Sequence, residues 1–112
     1  LRSLRNDSAW KKIDEEMTEK IQNLIQELPL SEVGLLASLS RNLSKQRVYL
    51  GNSLPVREWD LVHPIDMAAE VFGHRGANGI DGQVSSFMGW SQPQQNQWAL
   101  IGDLTAMYDL VG

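Results

Sequence analysis

The residues best suited to chemistry lie in the stretch Arg75-Gly76-Ala77-Asn78-Gly79-Ile80-Asp81-Gly82, where glycines recur at every third position beside an arginine and an aspartate. Glycine permits positive φ and leaves backbone N–H groups open to a ligand, and the apolar residues Val84, Phe87 and Met88 predict a helix opening after Gly82. The stretch therefore reads as a tight loop able to approach an anion. Its spacing is not the dinucleotide fingerprint, whose first two glycines lie two residues apart, and a plain turn uses the same residues. Asp103 follows Gly102 directly after an aromatic and aliphatic run. A carboxylate at the end of a buried strand can give one oxygen to an octahedral Mg²⁺ that also takes diphosphate oxygens; capping a helix over 104–110 is the structural alternative. Arg57 and Arg75 each close an uncharged run, and a guanidinium fork there can bind a carboxylate bidentately, whereas a surface pair with Glu58, Asp60 or Asp81 would use the same charge. The Ser53 hydroxyl can cap a helix in which Pro55 suits an early position. Ile80, taken alone, reads as ordinary core.

These residues need elements that bring them together. Trp10, Ile13, Met17, Ile21, Leu24, Ile25 and Leu28 fall at steps of three and four, marking one face of a helix that Asn6, Asp7 or Ser8 can cap and Pro29 ends. Ser31 caps a second helix with the broader stripe Leu30, Val33, Leu36, Ala37, Leu39 and Leu43, and both stripes are expected to be packing surface. Strands are predicted at 47–50, at 69–72 and, most clearly, at 98–101, where the apolar run stops at Gly102-Asp103. Each is followed by a polar glycine loop and then by helix-like sequence, the order of parallel α/β units. Ligands in such sheets sit beyond the carboxyl ends of the strands, so the three loops are expected to converge at one edge. Residues 90–97 are polar and contain Pro93, which predicts a surface loop.

At 112 residues the chain is expected to form one domain at most, with a single modest core. A net charge of −4 with interspersed signs gives no basic footprint for nucleic acid. Neither an apolar run long enough to span a membrane nor a signal-peptide pattern is present in the sequence given, and a cytoplasmic protein is the expectation. With no cysteine and only the isolated histidines His63 and His74, zinc and thiolate chemistry have no ligands, and a metal would be held by oxygen.

Three segments carry a specific resemblance: Gly51-Asn52-Ser53-Leu54-Pro55-Val56-Arg57, Arg75 to Gly82, and Ile101-Gly102-Asp103-Leu104. In this order and near this spacing they resemble the carboxyl-terminal cofactor domain of the 2-succinyl-5-enolpyruvyl-6-hydroxy-3-cyclohexene-1-carboxylate synthase family, thiamine-diphosphate enzymes of menaquinone and phylloquinone biosynthesis. The resemblance covers residues 31–110. The wider thiamine-diphosphate superfamily carries Gly-Asp-Gly at its metal site with an asparagine further on; Leu104 in the third position fits this branch. The resemblance implies an α/β fold, part of a parallel-sheet diphosphate-side domain. It implies thiamine diphosphate and Mg²⁺ as cofactors, and 2-oxoglutarate and isochorismate as substrates. The first would be decarboxylated and the resulting carbanion equivalent added to the second.

By the same resemblance Asp103 matches the metal-binding aspartate and Gly102 the backbone near the diphosphate. Ser53 faces cofactor and substrate, with Asn52 a weaker candidate, and Arg57 and Arg75 bind substrate carboxylates. Ile80 matches the residue that wedges the cofactor into its bent, reactive shape. Asp109 belongs to the same run but lies too far along the helix and is read as structural. His74 departs from the small polar residue usual before the arginine and is given no role. The domain reading is a single partial domain over 1–112. Residues 1–28 form a leading amphipathic helix, and 31–112 form the first portion of the cofactor domain, truncated on its carboxyl-terminal side. The chain alone is expected to be inactive, because the glutamate that activates the aminopyrimidine comes from another domain of a homo-oligomeric parent. A noncatalytic module holding a nucleotide phosphate, or a purely structural domain, would use the same glycine loop differently.

Overall fold

A computed structural model describes residues 7–64, 69–74, 76 and 79–110. The chain divides into two units, Leu1–Leu35 and Leu36–Gly112. In the first, helix α1 (Asp7–Glu27) ends ahead of Pro29, which lacks the N–H a continuing helix needs. Ser31 then caps helix α2 (Glu32–Asn42): its Oγ accepts from the Gly34 N–H at 3.1 Å and donates to the Leu28 carbonyl at 2.7 Å. Gly34 has to be glycine, since a Cβ there would lie 2.7 Å from the Leu28 carbonyl oxygen and 2.8 Å from that of Pro29. The stripe along α1 departs from the sequence reading. Trp10, Ile13, Met17, Leu24 and Leu28 are exposed, and Ile25 is the one member that is buried. Periodicity identifies the apolar face of a helix but not what covers it.

The second unit is built on three parallel strands, β1 (Arg47–Leu50), β2 (Glu70–Gly73) and β3 (Gln97–Leu100), in the order β2-β1-β3. β1 begins and ends where the apolar run predicts; β2 and β3 are each displaced by one residue from the expected spans. Helix α3 (Leu54–Val62) follows β1, helix α4 (Gln83–Trp90) follows the glycine loop after β2, and helix α5 (Asp103–Asp109) follows β3. Leu36, Ala37, Leu43, Val48, Tyr49, Leu50, Trp59 and Val62 make the core, so β1, as the interior strand, supplies three consecutive buried residues. Such a run is the mark of a parallel strand covered on both faces. β3 is not the buried strand expected ahead of Asp103: among the described residues it pairs only with β1, and Trp98 and Ala99 are exposed.

Arg47 holds the amino-terminal end of the sheet. Its Nε lies 3.0 Å from Glu70 on β2, its Nη1 donates to Gln97 Oε1 on β3 at 3.1 Å, and its guanidinium stands 4.3 Å over the Trp90 ring at the end of α4. Tyr49, Phe72, Phe87 and Trp90 add an aromatic cluster on the α4 side, with the Phe72 and Trp90 rings stacked at 5.3 Å. The register sets Leu50 opposite Gly73 and Leu100, so the three strands end level at the other edge. That edge positions the candidate site.

Candidate functional site

Gly51 is the first residue past β1, and its N–H donates to the Leu100 carbonyl at 2.8 Å. A Cβ at this position would lie 3.1 Å from that oxygen and 3.3 Å from Ile101 Cα. Glycine therefore lets the loop after β1 lie against the chain leading to Gly102 and Asp103. The next residue, Asn52, is buried and reaches the other way: its Nδ2 donates to the Gly79 carbonyl at 2.7 Å, and its N–H to Gln83 Oε1 at 3.4 Å. Gln83 Oε1 also accepts from the Tyr49 hydroxyl at 2.9 Å, so one buried amide ties the central strand, its loop and the start of α4 together. Burial pushes the Tyr49 hydroxyl above its usual 10.0; the hydrogen bond with Ser86 opposes this and the negative charge of Asp109 adds to it.

The start of α4 already holds an anion, and it is the protein's own. Asp109 Oδ1 accepts from the Gly82 N–H at 2.5 Å, while Oδ2 accepts from the N–H groups of Val84 at 2.5 Å and Ser85 at 3.3 Å. The glycine loop thus approaches an anion, as its composition predicts, but the helix end after Gly82 is filled by a carboxylate from α5. The structural reading of Asp109 holds, and its position at the far end of α5 from Asp103 is what lets it reach.

The three loops meet, and the candidate residues on them fare differently. Ser53 stands just before α3 with φ 76° and ψ −129° and makes no side-chain cap, so the capping alternative is not realised; Pro55 does occupy the first turn. A non-glycine residue in this backbone region is strained, and such residues gather at functional sites. Arg57 is exposed on α3, and among the described residues it forms no ion pair with Glu58, Asp60 or Asp81. Arg75 lies outside the described residues. Ile80 is partly exposed in the loop, not part of the core, and is bracketed by Gly79 at φ 145° and, beyond Asp81, by Gly82 at φ 73°. Gly102 has an ordinary φ of −63°, and a Cβ there would meet nothing closer than Thr105 Oγ1 at 3.8 Å. Neither backbone nor packing demands glycine at that position.

Asp103 is exposed at the start of α5. Its Oδ1 accepts from the adjacent Leu104 N–H at 2.8 Å and Oδ2 has no partner among the described residues; the capping alternative is not realised, since Gly102 is the cap residue, α5 starts at Asp103 itself and no side chain caps it. No group of three or more His, Cys, Asp or Glu side chains that could hold a metal occurs among those residues. A single carboxylate oxygen is a donor of the kind Mg²⁺ takes, its octahedron otherwise filled with phosphate oxygens and water. An open groove of about 350 Å³ lies between Phe72, His74, Ser86, Gly89 and Trp90, with His74 Nδ1 3.3 Å from Ser86 Oγ. Sequence reasoning missed Gln83 and Tyr49 altogether. A glutamine after a glycine and a tyrosine within a strand carry no signal of a shared buried hydrogen bond.

Three parallel strands that end level, each leading through a glycine-containing loop into a helix, define a parallel α/β protein, and the carboxyl edge of its sheet is the candidate site. No protein-family model matches the chain. Among curated proteins it is 50% identical over 92 residues to the 2-succinyl-5-enolpyruvyl-6-hydroxy-3-cyclohexene-1-carboxylate synthase of Bdellovibrio bacteriovorus, a match covering 81% of this chain and 18% of that protein. It is 43% identical over 99 residues to the synthase of Akkermansia muciniphila, covering 83% and 19%, and 42% identical over 85 residues to that of Listeria welshimeri, covering 74% and 15%. The chain belongs to the 2-succinyl-5-enolpyruvyl-6-hydroxy-3-cyclohexene-1-carboxylate synthase family. It spans less than a fifth of the length of these relatives.

Proposed function

We propose that the chain is the metal- and diphosphate-facing part of a thiamine-diphosphate-dependent synthase of menaquinone or phylloquinone biosynthesis, a cytoplasmic homo-oligomer that decarboxylates 2-oxoglutarate and joins the remaining unit to isochorismate. The observation that carries the reading is the meeting of the three family segments at one sheet edge, through the close approach of Gly51 to Leu100 and the bonds from Asn52 to Gly79 and from Gly82 to Asp109. Thiamine diphosphate, when bound, supplies the thiazolium carbon at which decarboxylation and carbon–carbon bond formation take place. Asp103 gives one carboxylate oxygen to Mg²⁺, and Gly102 leaves its backbone open to the diphosphate. Ile80 props the cofactor in its bent form, and Ser53 faces cofactor and substrate. Arg57 and Arg75 bind the carboxylates of two dicarboxylic substrates, for which charge-assisted forks are suited. The aminopyrimidine-activating glutamate belongs to other domains of the parent, and the chain alone is inactive.

The test is CO₂ release from 2-oxoglutarate by the full-length protein containing this chain, with and without thiamine diphosphate, Mg²⁺ and isochorismate. Turnover that needs both cofactors, and that Asp103→Asn abolishes, is the expected result. Turnover without thiamine diphosphate, or binding of ATP in its place, would overturn the reading in favour of another chemistry.

A further inference from the structure

Asp109 is out of place by the rules of its own helix. A carboxylate in the last turn of α5 meets the negative end of the helix dipole, where cations are favoured. Across the gap it meets the opposite field, the positive end of α4, and accepts three backbone N–H groups there, from Gly82, Val84 and Ser85. The local disadvantage is offset only by that tertiary contact. The loop it grips has no side-chain packing at its glycines: a Cβ added at Gly79 or Gly82 would meet nothing within 4 Å. Hydrogen bonds hold it instead, from Asn52 Nδ2 to the Gly79 carbonyl on one side of Ile80 and from the Gly82 N–H to Asp109 on the other. Asp103 stands at the opposite end of the seven-residue helix that carries Asp109.

We propose that Asp109 is a positioning residue: through α5 it fixes the Ile80 loop relative to Asp103, so that the residue that props the cofactor and the residue that takes its metal keep one separation. This rests on the synthase reading above. Both Asp109 oxygens are engaged by the N–H groups of Gly82, Val84 and Ser85, so it acts through the backbone of 82–85. In the full-length protein, Asp109→Ala is expected to speed amide hydrogen exchange in a peptide covering 82–85 by about tenfold or more, the scale of a lost charge-assisted hydrogen bond. It is also expected to weaken thiamine diphosphate binding, measured by calorimetry with Mg²⁺, by a similar factor and to lower kcat, with the KM for 2-oxoglutarate within twofold of wild type. Asp109→Asn keeps one acceptor oxygen in the same shape, so all three effects should be intermediate and should scale together; that variant also serves if the alanine protein does not fold. Unchanged exchange in both variants would show that the clamp is not made in solution. Faster exchange with unaltered cofactor affinity and kcat would leave Asp109 as architecture only. If the wild type itself bound no thiamine diphosphate while the exchange result held, the synthase reading would fail and the positioning role with it, the clamp surviving as a fold contact.

Discussion

Ser53 offers a test in which stability and activity should move in opposite directions. Its φ of 76° and ψ of −129° lie where L side chains are disfavoured, and the hydroxyl makes no cap to α3 in return. A residue held this way costs on the order of 1–3 kcal/mol, which glycine does not incur. Glycine loses about 0.5–1 kcal/mol through the extra freedom of its unfolded chain, so Ser53→Gly should stabilise the fold by about 1 kcal/mol net. Ser53→Ala keeps the Cβ and therefore the strain, and removes an exposed hydroxyl with no capping role, so it should stay within about 0.5 kcal/mol of wild type. Urea unfolding of the three proteins at matched m-values should move the midpoint of the glycine variant upward by roughly 0.5–1 M and leave that of the alanine variant in place. If Ser53 faces the ligands, both variants should lose kcat/KM in the full-length enzyme, and the more stable protein should be no more active than the alanine one. A glycine variant no more stable than wild type would refute the strain argument. An alanine variant weaker by more than about 1 kcal/mol would mean that the hydroxyl caps the helix after all.

Three further outcomes are expected. Gly102→Ala should leave thermal stability nearly unchanged, because a Cβ there finds open space at an ordinary φ, yet weaken thiamine diphosphate binding by about tenfold, the loss of one close backbone contact; equal loss of stability would return Gly102 to a structural role. Tyr49→Phe should destabilise the fold by about 0.5–1.5 kcal/mol at neutral pH, because Gln83 Oε1 loses its 2.9 Å donor inside the core and keeps only the Asn52 N–H at 3.4 Å. Because the folded-state pKa of Tyr49 is raised above 10.0, its contribution is complete below pH 10.0 and fades as pH rises through the higher folded value. Unfolding free energy measured from pH 8 to 12 should therefore fall less steeply at the alkaline end in the phenylalanine variant. Calorimetric titration of thiamine diphosphate and Mg²⁺ into the 112-residue chain should show nothing tighter than roughly millimolar, about −4 kcal/mol, since the protein cation ligands described amount to one carboxylate.

The elements were legible where local chemistry alone fixes them. Pro29 and Ser31 mark a helix end and a helix start, and the run Arg47-Val48-Tyr49-Leu50 marks a short strand before Gly51. The meeting of the loops was legible too, because a parallel sheet allows no other place for them. What sequence could not show are the contacts that depend on a partner far along the chain. Gly51 looks like any turn glycine until the Leu100 carbonyl is set beside it. Ser53 ahead of Leu54-Pro55 reads as a helix cap, because nothing in its neighbours announces a positive φ. Asp109 reads as structural from its distance along the helix from Asp103 alone; its reach to the amides of α4 shows only with both helices in place. The apolar face of α1 shows the converse error, a pattern taken as burial where most of its residues are exposed.

The sheet also bears on how this chain behaves at high concentration. Among the described residues β2 and β3 each have one strand neighbour, so each is an edge strand whose outer side no other strand pairs with. Natural edge strands discourage recruitment of a stranger with lysine, proline or a bulge. β3 reads Gln97-Trp98-Ala99-Leu100, without charge or proline, and its Trp98 is half exposed. β2 carries one charge, Glu70, and that carboxylate is engaged by Arg47. A short, uncharged, tryptophan-bearing margin of this kind is a template for strand addition, so self-association of the isolated chain is expected to begin there.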